Sequence, residues 1–268
     1  MRINERSLEI DGRRHAFLEA GAGWPVILLH GFPLKADMWR PQLEKVPDGW
    51  RFIAPDFRGF GRAGDPGKAM TMDDYAADVL SLMDGLELDD AVIGGLSMGG
   101  YVAFAMYRLS PSRFTGMILA DTRPQPDSPQ VLEGRVRVLE VLAKDGPPGV
   151  AVQLLPKQLG ETTRRERPEV VRQARALIES ASPAAIEAAI GALMSRPDST
   201  PGLAAITCAT VVLVGEEDEV TPTVEAEAMQ RAISRSTLAV IRGAGHLSSL
   251  EQPDVFSRGL SDFLLGSL

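Results

Sequence analysis

The sequence predicts an α/β protein whose mainly parallel, eight-stranded sheet carries helices on both faces and is interrupted by one helical insertion. Apolar runs of strand length alternate with segments of helical period, about 10 to 15 residues long, which is typical of right-handed βαβ units. The run at 26–30 is continuously apolar, as expected of a central strand buried on both faces. From about residue 122 to residue 199 only helical patterns occur. These three observations define the predicted fold class.

The predicted elements follow one another in an order that agrees with this class. Residues 2–20 form two strands joined at Asp11-Gly12, a hairpin signal. Thr71 followed by Asp74 resembles a capping box and predicts the start of a helix whose apolar stripe runs to Leu86. Further strands are predicted at 26–30, 51–55, 91–95, 115–121, 210–215 and 238–241, and further helices at 38–46, 101–110, 132–144, 150–159, 168–180, 184–194, 223–233 and 253–265.

The helical insertion divides the chain into two parts. Residues 1–121 and 200–268 form the predicted core, and residues 122–199 form a cap of short helices. Because ligands of parallel sheets bind beyond the carboxyl ends of the strands, we expect the cap to cover that edge and to shape a substrate pocket. The alternative is a structural excursion that takes no part in binding.

Composition and charge exclude several classes of protein. The net charge of −8 argues against nucleic acid as a partner. Cys208 is the single cysteine, which excludes an internal disulfide. Residues 1–7 lack the apolar region of a signal peptide, and no apolar run approaches the length of a membrane span. We therefore expect a cytoplasmic protein that acts on a small molecule and has no membrane partner.

A candidate nucleophile lies between the fifth predicted strand and the helix after it. Residues 95–99 read Gly-Leu-Ser-Met-Gly, a G-x-S-x-G sequence in the strand-turn-helix context of a nucleophile elbow. Such a sharp turn strains the backbone of Ser97 and requires small residues two positions before and after it. The alternative is a plain glycine-rich turn. The context predicts that Ser97 is a catalytic nucleophile.

A serine hydroxyl needs a base, and the chain has three histidines. His15 lies in the N-terminal hairpin and is expected at the surface. His30 ends a central strand and is expected to brace the following loop by hydrogen bonds. His246 lies in a glycine-rich loop after the last strand, so elimination selects it as the catalytic base.

The histidine in turn needs a buried carboxylate on its other ring nitrogen. The segment after the seventh predicted strand contains four acidic residues at 216–219. Asp218 is the predicted partner, with Glu217 as the alternative. The developing oxyanion needs two preorganised N–H donors. Met98, the residue after the nucleophile, supplies one, and the loop after the third strand supplies the other through Gly31 or Phe32, of which we predict Phe32.

Five spaced motifs resemble the α/β-hydrolase superfamily across almost the whole chain, and they occur at 30–33, 56–61, 95–99, 215–218 and 245–246. The order Ser97, Asp218, His246 is the order of that superfamily. Residues 94–104, 119–123 and 196–200 further resemble a group of small bacterial carboxylesterases related to enol-lactonases and cofactor-free haloperoxidase/esterases. The resemblance implies the α/β-hydrolase fold. A serine instead of an aspartate at position 97 disfavours dehalogenases and epoxide hydrolases.

These residues predict a serine carboxylesterase that hydrolyses short-chain esters through an acyl-enzyme, with no metal or cofactor. A histidine base predicts activity that rises with pH through about 6.5, the ordinary histidine range. The alternatives are a lactonase or C–C bond hydrolase with the same three residues, and a non-catalytic receptor. In the lactonase alternative, arginines of the cap receive an anionic lactone carboxylate; examples are Arg135, Arg164, Arg172 and Arg175. The sequence favours the other interpretation, in which these arginines are solvated charges on the faces of helices.

Overall fold

The sheet places the carboxyl ends of its central strands along one edge of the molecule. In a computed structural model that describes residues 1–67 and 70–267, eight strands form one sheet in the order β1-β2-β4-β3-β5-β6-β7-β8. The first two strands and the β2–β4 pair are antiparallel, and the other pairs are parallel. The strands are β1 Asn4–Ile10, β2 Arg13–Gly21, β3 Trp24–Leu29, β4 Trp50–Pro55, β5 Ala91–Leu96, β6 Phe114–Ala120, β7 Ala209–Gly215 and β8 Ser236–Ile241.

Continuous apolar sequence explains why the central strands lie in the core. Every residue of β5 and of β7 is buried, because helices cover both faces of the sheet there. In β8, at the edge, buried and partly exposed residues mix. The predicted α/β fold with eight strands is confirmed.

Helices cover both faces of this sheet. They are α1 Arg40–Leu43, α2 Met72–Gly85, α3 Met98–Leu109, α8 Thr223–Ala232, α9 Ser248–Glu251 and α10 Pro253–Gly266. The capping box is confirmed: Thr71 accepts from the backbone of Asp74, whose carboxylate accepts from the backbone of Thr71. The helix predicted at 38–46 is wrong in length. It consists of a 3₁₀ turn, Ala36–Trp39, and the single turn of α1, since Val46 precedes Pro47 and is disfavoured in helical conformation.

Residues 121–208, all of which the structure describes, form helices and turns but no strand. This segment contains four α-helices and the 3₁₀ helix Thr200–Ala205; the α-helices are α4 Pro129–Gln158, α5 Glu161–Glu166, α6 Pro168–Glu179 and α7 Pro183–Met194. A break at Gly146, with φ of 66°, divides α4 into the two helical pieces that the sequence predicts. The short α5 was not predicted, because its polar sequence has no apolar period.

The helices differ from membrane spans in length and composition. No single helix in the described part of the chain is long and apolar enough to cross a membrane, and α6 and α7 meet the criteria only as a pair bent by 93°.

Candidate active site

The turn between β5 and α3 holds Ser97 in a strained conformation with φ of 55° and ψ of −113°. A Cβ atom on Gly95 would lie 2.0 Å from the carbonyl carbon of Gly99, and one on Gly99 would lie 2.3 Å from the carbonyl oxygen of Leu29. Strand and helix therefore approach each other as closely as backbone allows, which explains both glycines. The Thr122 hydroxyl donates to the Ser97 carbonyl over 2.9 Å and ties the turn to the end of β6.

Three of the predicted residues meet at this turn in one chain of hydrogen bonds. The Oγ of Ser97 lies 2.8 Å from Nε2 of His246, and Nδ1 of the same ring lies 2.8 Å from Oδ2 of Asp218. Because a carboxylate only accepts, Nδ1 carries the proton and Nε2 accepts from the serine hydroxyl. His246 and Asp218 are 2% and 5% exposed, so the contact is shielded from water. Residues 149 positions apart in the chain are thus in direct contact.

The Asp218 carboxylate has a full set of donors. Besides His246, it accepts from the backbone N–H of Val220 at 2.7 Å and of Thr221 at 2.9 Å, and from the Thr221 hydroxyl at 2.7 Å. Burial opposes ionisation, but the neighbouring His246 and these donors hold the pKa of Asp218 below its usual value. The carboxylate is thereby kept ionised and fixed in orientation.

The alternative acid, Glu217, points elsewhere. Its two carboxylate oxygens accept from the backbone N–H and the hydroxyl of Thr162, at 2.9 and 2.5 Å. It therefore joins the loop after β7 to α5. The structure brings Asp218, and not Glu217, to the histidine.

Two backbone N–H groups beside Ser97 are free to donate. In the residues that the structure describes, no acceptor lies in hydrogen-bond position from the N–H of Phe32 or of Met98. The N–H of Gly31 instead donates to the Met38 sulfur at 3.3 Å. A Cβ on Gly31 would lie 3.7 Å from the Cβ of Ser97, so this loop runs directly beside the serine. Phe32 and Met98 thus remain the candidate oxyanion donors, and Gly31 does not.

His30 braces this loop, as its position predicts. Its Nε2 accepts from the backbone N–H of Phe57 at 3.0 Å, while Nδ1 lies 3.0 Å from the carbonyl oxygen of Gly31. Burial lowers the pKa of His30 to about 4, so the ring is neutral at pH 7. His15, expected at the surface, is instead partly buried, and it lies opposite Leu8 of β1.

Glu251, which the sequence analysis missed, holds the loop that carries His246. Its side chain is buried, and Oε1 accepts from the backbone N–H of Gly245 at 2.9 Å and of Leu247 at 3.1 Å. Oε2 accepts from the N–H of Gly160, in the helical insertion, at 2.8 Å. One carboxylate therefore accepts hydrogen bonds from the backbone on either side of His246 and links this loop to the insertion. No element is predicted at this position, and a carboxylate five residues after the histidine carries no pattern that would have indicated this role.

Two further buried polar residues support the same region. Asp121, directly after β6, accepts from the backbone N–H of Gly215 at 2.8 Å and from the Ser248 hydroxyl. Burial and the nearby Asp218 carboxylate raise the pKa of Asp121 well above its usual value. Gln158, at the end of α4, donates from Nε2 to the Phe32 carbonyl at 3.1 Å. The polar residue ending an apolar strand was a visible signal for Asp121, whereas Gln158 had none.

No group of three or more histidine, cysteine or acidic side chains in the described residues has the arrangement of a metal site. The groups gathered beside Ser97 are an imidazole, a carboxylate and backbone amides. Such an arrangement can deprotonate a hydroxyl and stabilise an oxyanion beside it.

The fold and the position of this site define the class of protein. The family model for the alpha/beta hydrolase fold matches residues 25–253, and the chain belongs to this family. Its relatives include esterases, enol-lactonases and haloperoxidases.

Particular relatives extend over nearly the whole chain. A thermophilic esterase from Thermogutta terrifontis, solved with malate bound, is 42% identical with a TM-score of 0.92 and 98% of each chain covered. The chain is also 26% identical to 3-oxoadipate enol-lactonase 2 of Acinetobacter baylyi, over 83% of this chain and 82% of that protein. It is 28% identical to a non-heme haloperoxidase of Rhodococcus erythropolis, over 95% of this chain and 97% of that one. The group suggested by the sequence motifs is confirmed.

Proposed function

We propose that this protein is a serine carboxylesterase that hydrolyses short-chain carboxylic esters through an acyl-enzyme on Ser97. The observation that carries the proposal is the hydrogen-bond chain from Ser97 through His246 to Asp218, with 2.8 Å at each link. The similarity to an esterase at 42% identity supports the same class of reaction.

The first half of the reaction acylates the serine. Nε2 of His246 takes the hydroxyl proton while Oγ of Ser97 attacks the ester carbonyl, and the carbonyl oxygen becomes an oxyanion. The free N–H groups of Phe32 and Met98 donate to that oxyanion. Asp218 stabilises the imidazolium through Nδ1–H. The imidazolium then gives its proton to the leaving oxygen, the C–O bond breaks and the alcohol departs.

The second half repeats these steps with water as the nucleophile. His246 takes a proton from water, the hydroxide attacks the acyl carbon and the same amides hold the second oxyanion. Proton return to Oγ of Ser97 releases the carboxylic acid. A lactone is a cyclic ester and opens by the same steps, so the reaction itself does not separate the esterase from the lactonase alternative.

A panel of short aryl esters and an enol-lactone acid, assayed with wild type and Ser97→Ala, tests the proposal. We expect wild type to hydrolyse the aryl esters and the alanine variant to lose at least about 10³-fold in kcat. A phosphonate reagent should add one equivalent of mass to wild type at Ser97 and none to Ser97→Ala. Ser195→Ala, which removes the hydroxyl of an exposed residue bonded to its own helix, is the matched control.

Turnover that survives in Ser97→Ala, or a label on another residue, contradicts the assignment. A wild-type protein that is stabilised thermally by esters but releases no product favours the receptor alternative. Enol-lactone turnover far above aryl ester turnover favours the lactonase alternative.

A further inference from the structure

Three arginines converge on one buried carboxylate where the insertion meets the candidate active site. The side chain of Asp127 has no exposed area. Its oxygens lie 2.9 Å from Nε of Arg135, 2.7 Å from a terminal nitrogen of Arg196 and 3.5 Å from one of Arg123. Burial opposes ionisation, yet the guanidinium groups of Arg135 and Arg196 hold the pKa of Asp127 below its usual value. The cluster therefore carries three positive charges against one negative charge.

Three positive charges are more than a purely structural salt bridge to one carboxylate requires. One guanidinium group neutralises one carboxylate, and burying further charge costs free energy unless a partner compensates it. The Nε atoms of Arg123 and Arg196 are buried and have no acceptor in the described part of the chain. Glu225, a carboxylate nearby in the fold, is held by Gln125, and no ion pair links it to the cluster within the described residues. An anion that enters the site would supply the missing negative charge.

The arginine cluster lies beside Phe32 and Tyr101, two residues close to Ser97 in the fold. The guanidinium carbon of Arg135 lies 6.0 Å from the ring centre of Phe32, the candidate oxyanion residue. That of Arg196 lies 4.2 Å above the ring of Tyr101, whose backbone N–H donates to the Ser97 carbonyl. The positive charge of the cluster therefore lies against two residues of the candidate active site.

Among the three, Arg135 has the groups free to bind. Arg196 is 3% exposed in its side chain and also donates to the carbonyls of Leu193 and Gln125. The Arg135 side chain is 20% exposed, and neither of its terminal nitrogens has an acceptor among the residues described. Its Nε bond to Asp127 fixes the guanidinium plane, which leaves the outer N–H groups to form a charge-assisted pair with a carboxylate.

The other arginines named as candidates by the sequence do not share this setting. Arg164 donates to the carbonyl of Pro156, and Arg175 pairs with Glu179 at 3.3 Å on the same helix. Arg172 is exposed on α6. The structure thus separates Arg135 from the rest.

We propose that Arg135, positioned by Asp127, binds a carboxylate of the substrate, so that the preferred substrates are esters or lactones bearing a second, ionised acid group. This inference rests on the proposed hydrolase function and names its substrate class. Arg123 and Arg196 keep the cluster positive while Arg135 faces the substrate.

Two matched substrate pairs test the inference on either side of the ester bond. The acyl pair is 4-nitrophenyl hydrogen adipate and 4-nitrophenyl hexanoate, and the alcohol pair is 3-carboxyphenyl butyrate and 3-carbamoylphenyl butyrate. We expect wild type to favour the anionic member of at least one pair by about tenfold or more in kcat/KM. Arg135→Gln should lower that anionic-to-neutral ratio by about 10- to 100-fold, and Arg135→Lys by less, because it keeps charge but not the planar fork.

Arg172→Gln is the matched control and should leave the ratio within about twofold, since surface changes are usually small. Titration of monomethyl adipate into Ser97→Ala, with and without Arg135→Gln, measures carboxylate binding without turnover. Binding that the arginine change abolishes supports the subsite even if the hydrolase proposal fails. Neutral esters hydrolysed as well as anionic ones in both pairs, or a ratio unchanged by Arg135→Gln, would overturn it.

Discussion

At the scale of single residues, the site depends on which polar groups are buried together. Asp218 and Glu217 are adjacent in the chain, yet one carboxylate faces His246 and the other faces Thr162. The difference arises because Asp218 is held by the N–H groups of Val220 and Thr221, which turn its oxygens inward. Sequence predicted that an acid from this segment serves the histidine, and the local hydrogen bonds select which one.

The buried, neutral ring of His30 predicts how the free energy of unfolding depends on pH. Its native pKa of about 4 lies below the unfolded value of 6.5, so between these values the unfolded chain binds a proton that the native ring does not. This contribution to the free energy of unfolding is present above pH 6.5 and is lost as pH falls toward 4. For a fully buried ring the loss is about 2 kcal/mol between pH 7 and pH 5.

Urea unfolding of wild type and His30→Gln at both pH values measures this contribution as a difference. Asp121 and Glu251, whose raised pKa values act in the opposite direction, are present in both proteins and cancel. A free energy of unfolding that falls between pH 7 and pH 5 by the same amount in both proteins would contradict the assignment.

At the scale of elements, the loop after β8 is positioned by contact with three other segments. A Cβ on Gly245 would lie 2.3 Å from the backbone nitrogen of Gly160, and one on Gly215 would lie 2.1 Å from the Gly245 carbonyl oxygen. These backbones touch because all three positions are glycine. Glu251 then fixes the loop from its other side. The orientation of the imidazole therefore depends on β7, α9 and the insertion together.

Glu251→Gln tests whether Glu251 positions the loop that carries His246. In the glutamine side chain an NH₂ group replaces one carboxylate oxygen. This donor then faces either the N–H of Gly160 or those of Gly245 and Leu247, and neither side can accept. Since an unpaired buried donor costs about 1–3 kcal/mol, we expect a lower melting temperature and kcat reduced by about 10- to 100-fold with little change in KM. The rate of phosphonate labelling at Ser97 should fall in proportion.

Glu216→Gln is the control for this change, because Glu216 is exposed and accepts a single N–H of the same loop, from Gly243 at 3.2 Å. It should leave kcat within about twofold. If the contacts of Glu251 matter only for folding, Glu251→Gln would lower the melting temperature while kcat and the labelling rate stay at the wild-type level. That outcome would contradict the prediction.

At the scale of the whole molecule, buried polar contacts join the insertion to the sheet core. Gln158 donates to the Phe32 carbonyl, the N–H of Gly160 donates to Glu251, and Thr162 donates to Glu217. These contacts fall within one short stretch, from the last residue of α4 to the first turn of α5, and reach three different core segments. Unfolding of the insertion alone would leave the buried polar groups of the core without hydrogen-bond partners, which costs free energy. We therefore expect the insertion and the core to unfold together.

The tryptophans permit a direct measurement, because Trp24, Trp39 and Trp50 all lie outside the insertion and Trp39 is fully buried. The helices of the insertion contribute strongly to far-UV circular dichroism. Thermal unfolding followed by tryptophan fluorescence and by circular dichroism should give coincident midpoints, as in a two-state transition. Loss of helical signal at a lower temperature than the fluorescence change would show that the insertion unfolds on its own.

By itself, the sequence determined the class of fold, the order of strands and helices, the elbow around Ser97 and the histidine expected to serve it. These follow from local causes, namely apolar period, glycine at forced close approaches and the small number of histidines. Tertiary structure alone decided that Asp218 and not Glu217 meets the ring, that Glu251 holds its loop, and that Arg135 lies beside the ring of Phe32. Those choices depend on contacts between segments as far apart as Gly160 and Glu251, whose pairing is set by packing and leaves no periodic pattern in the chain.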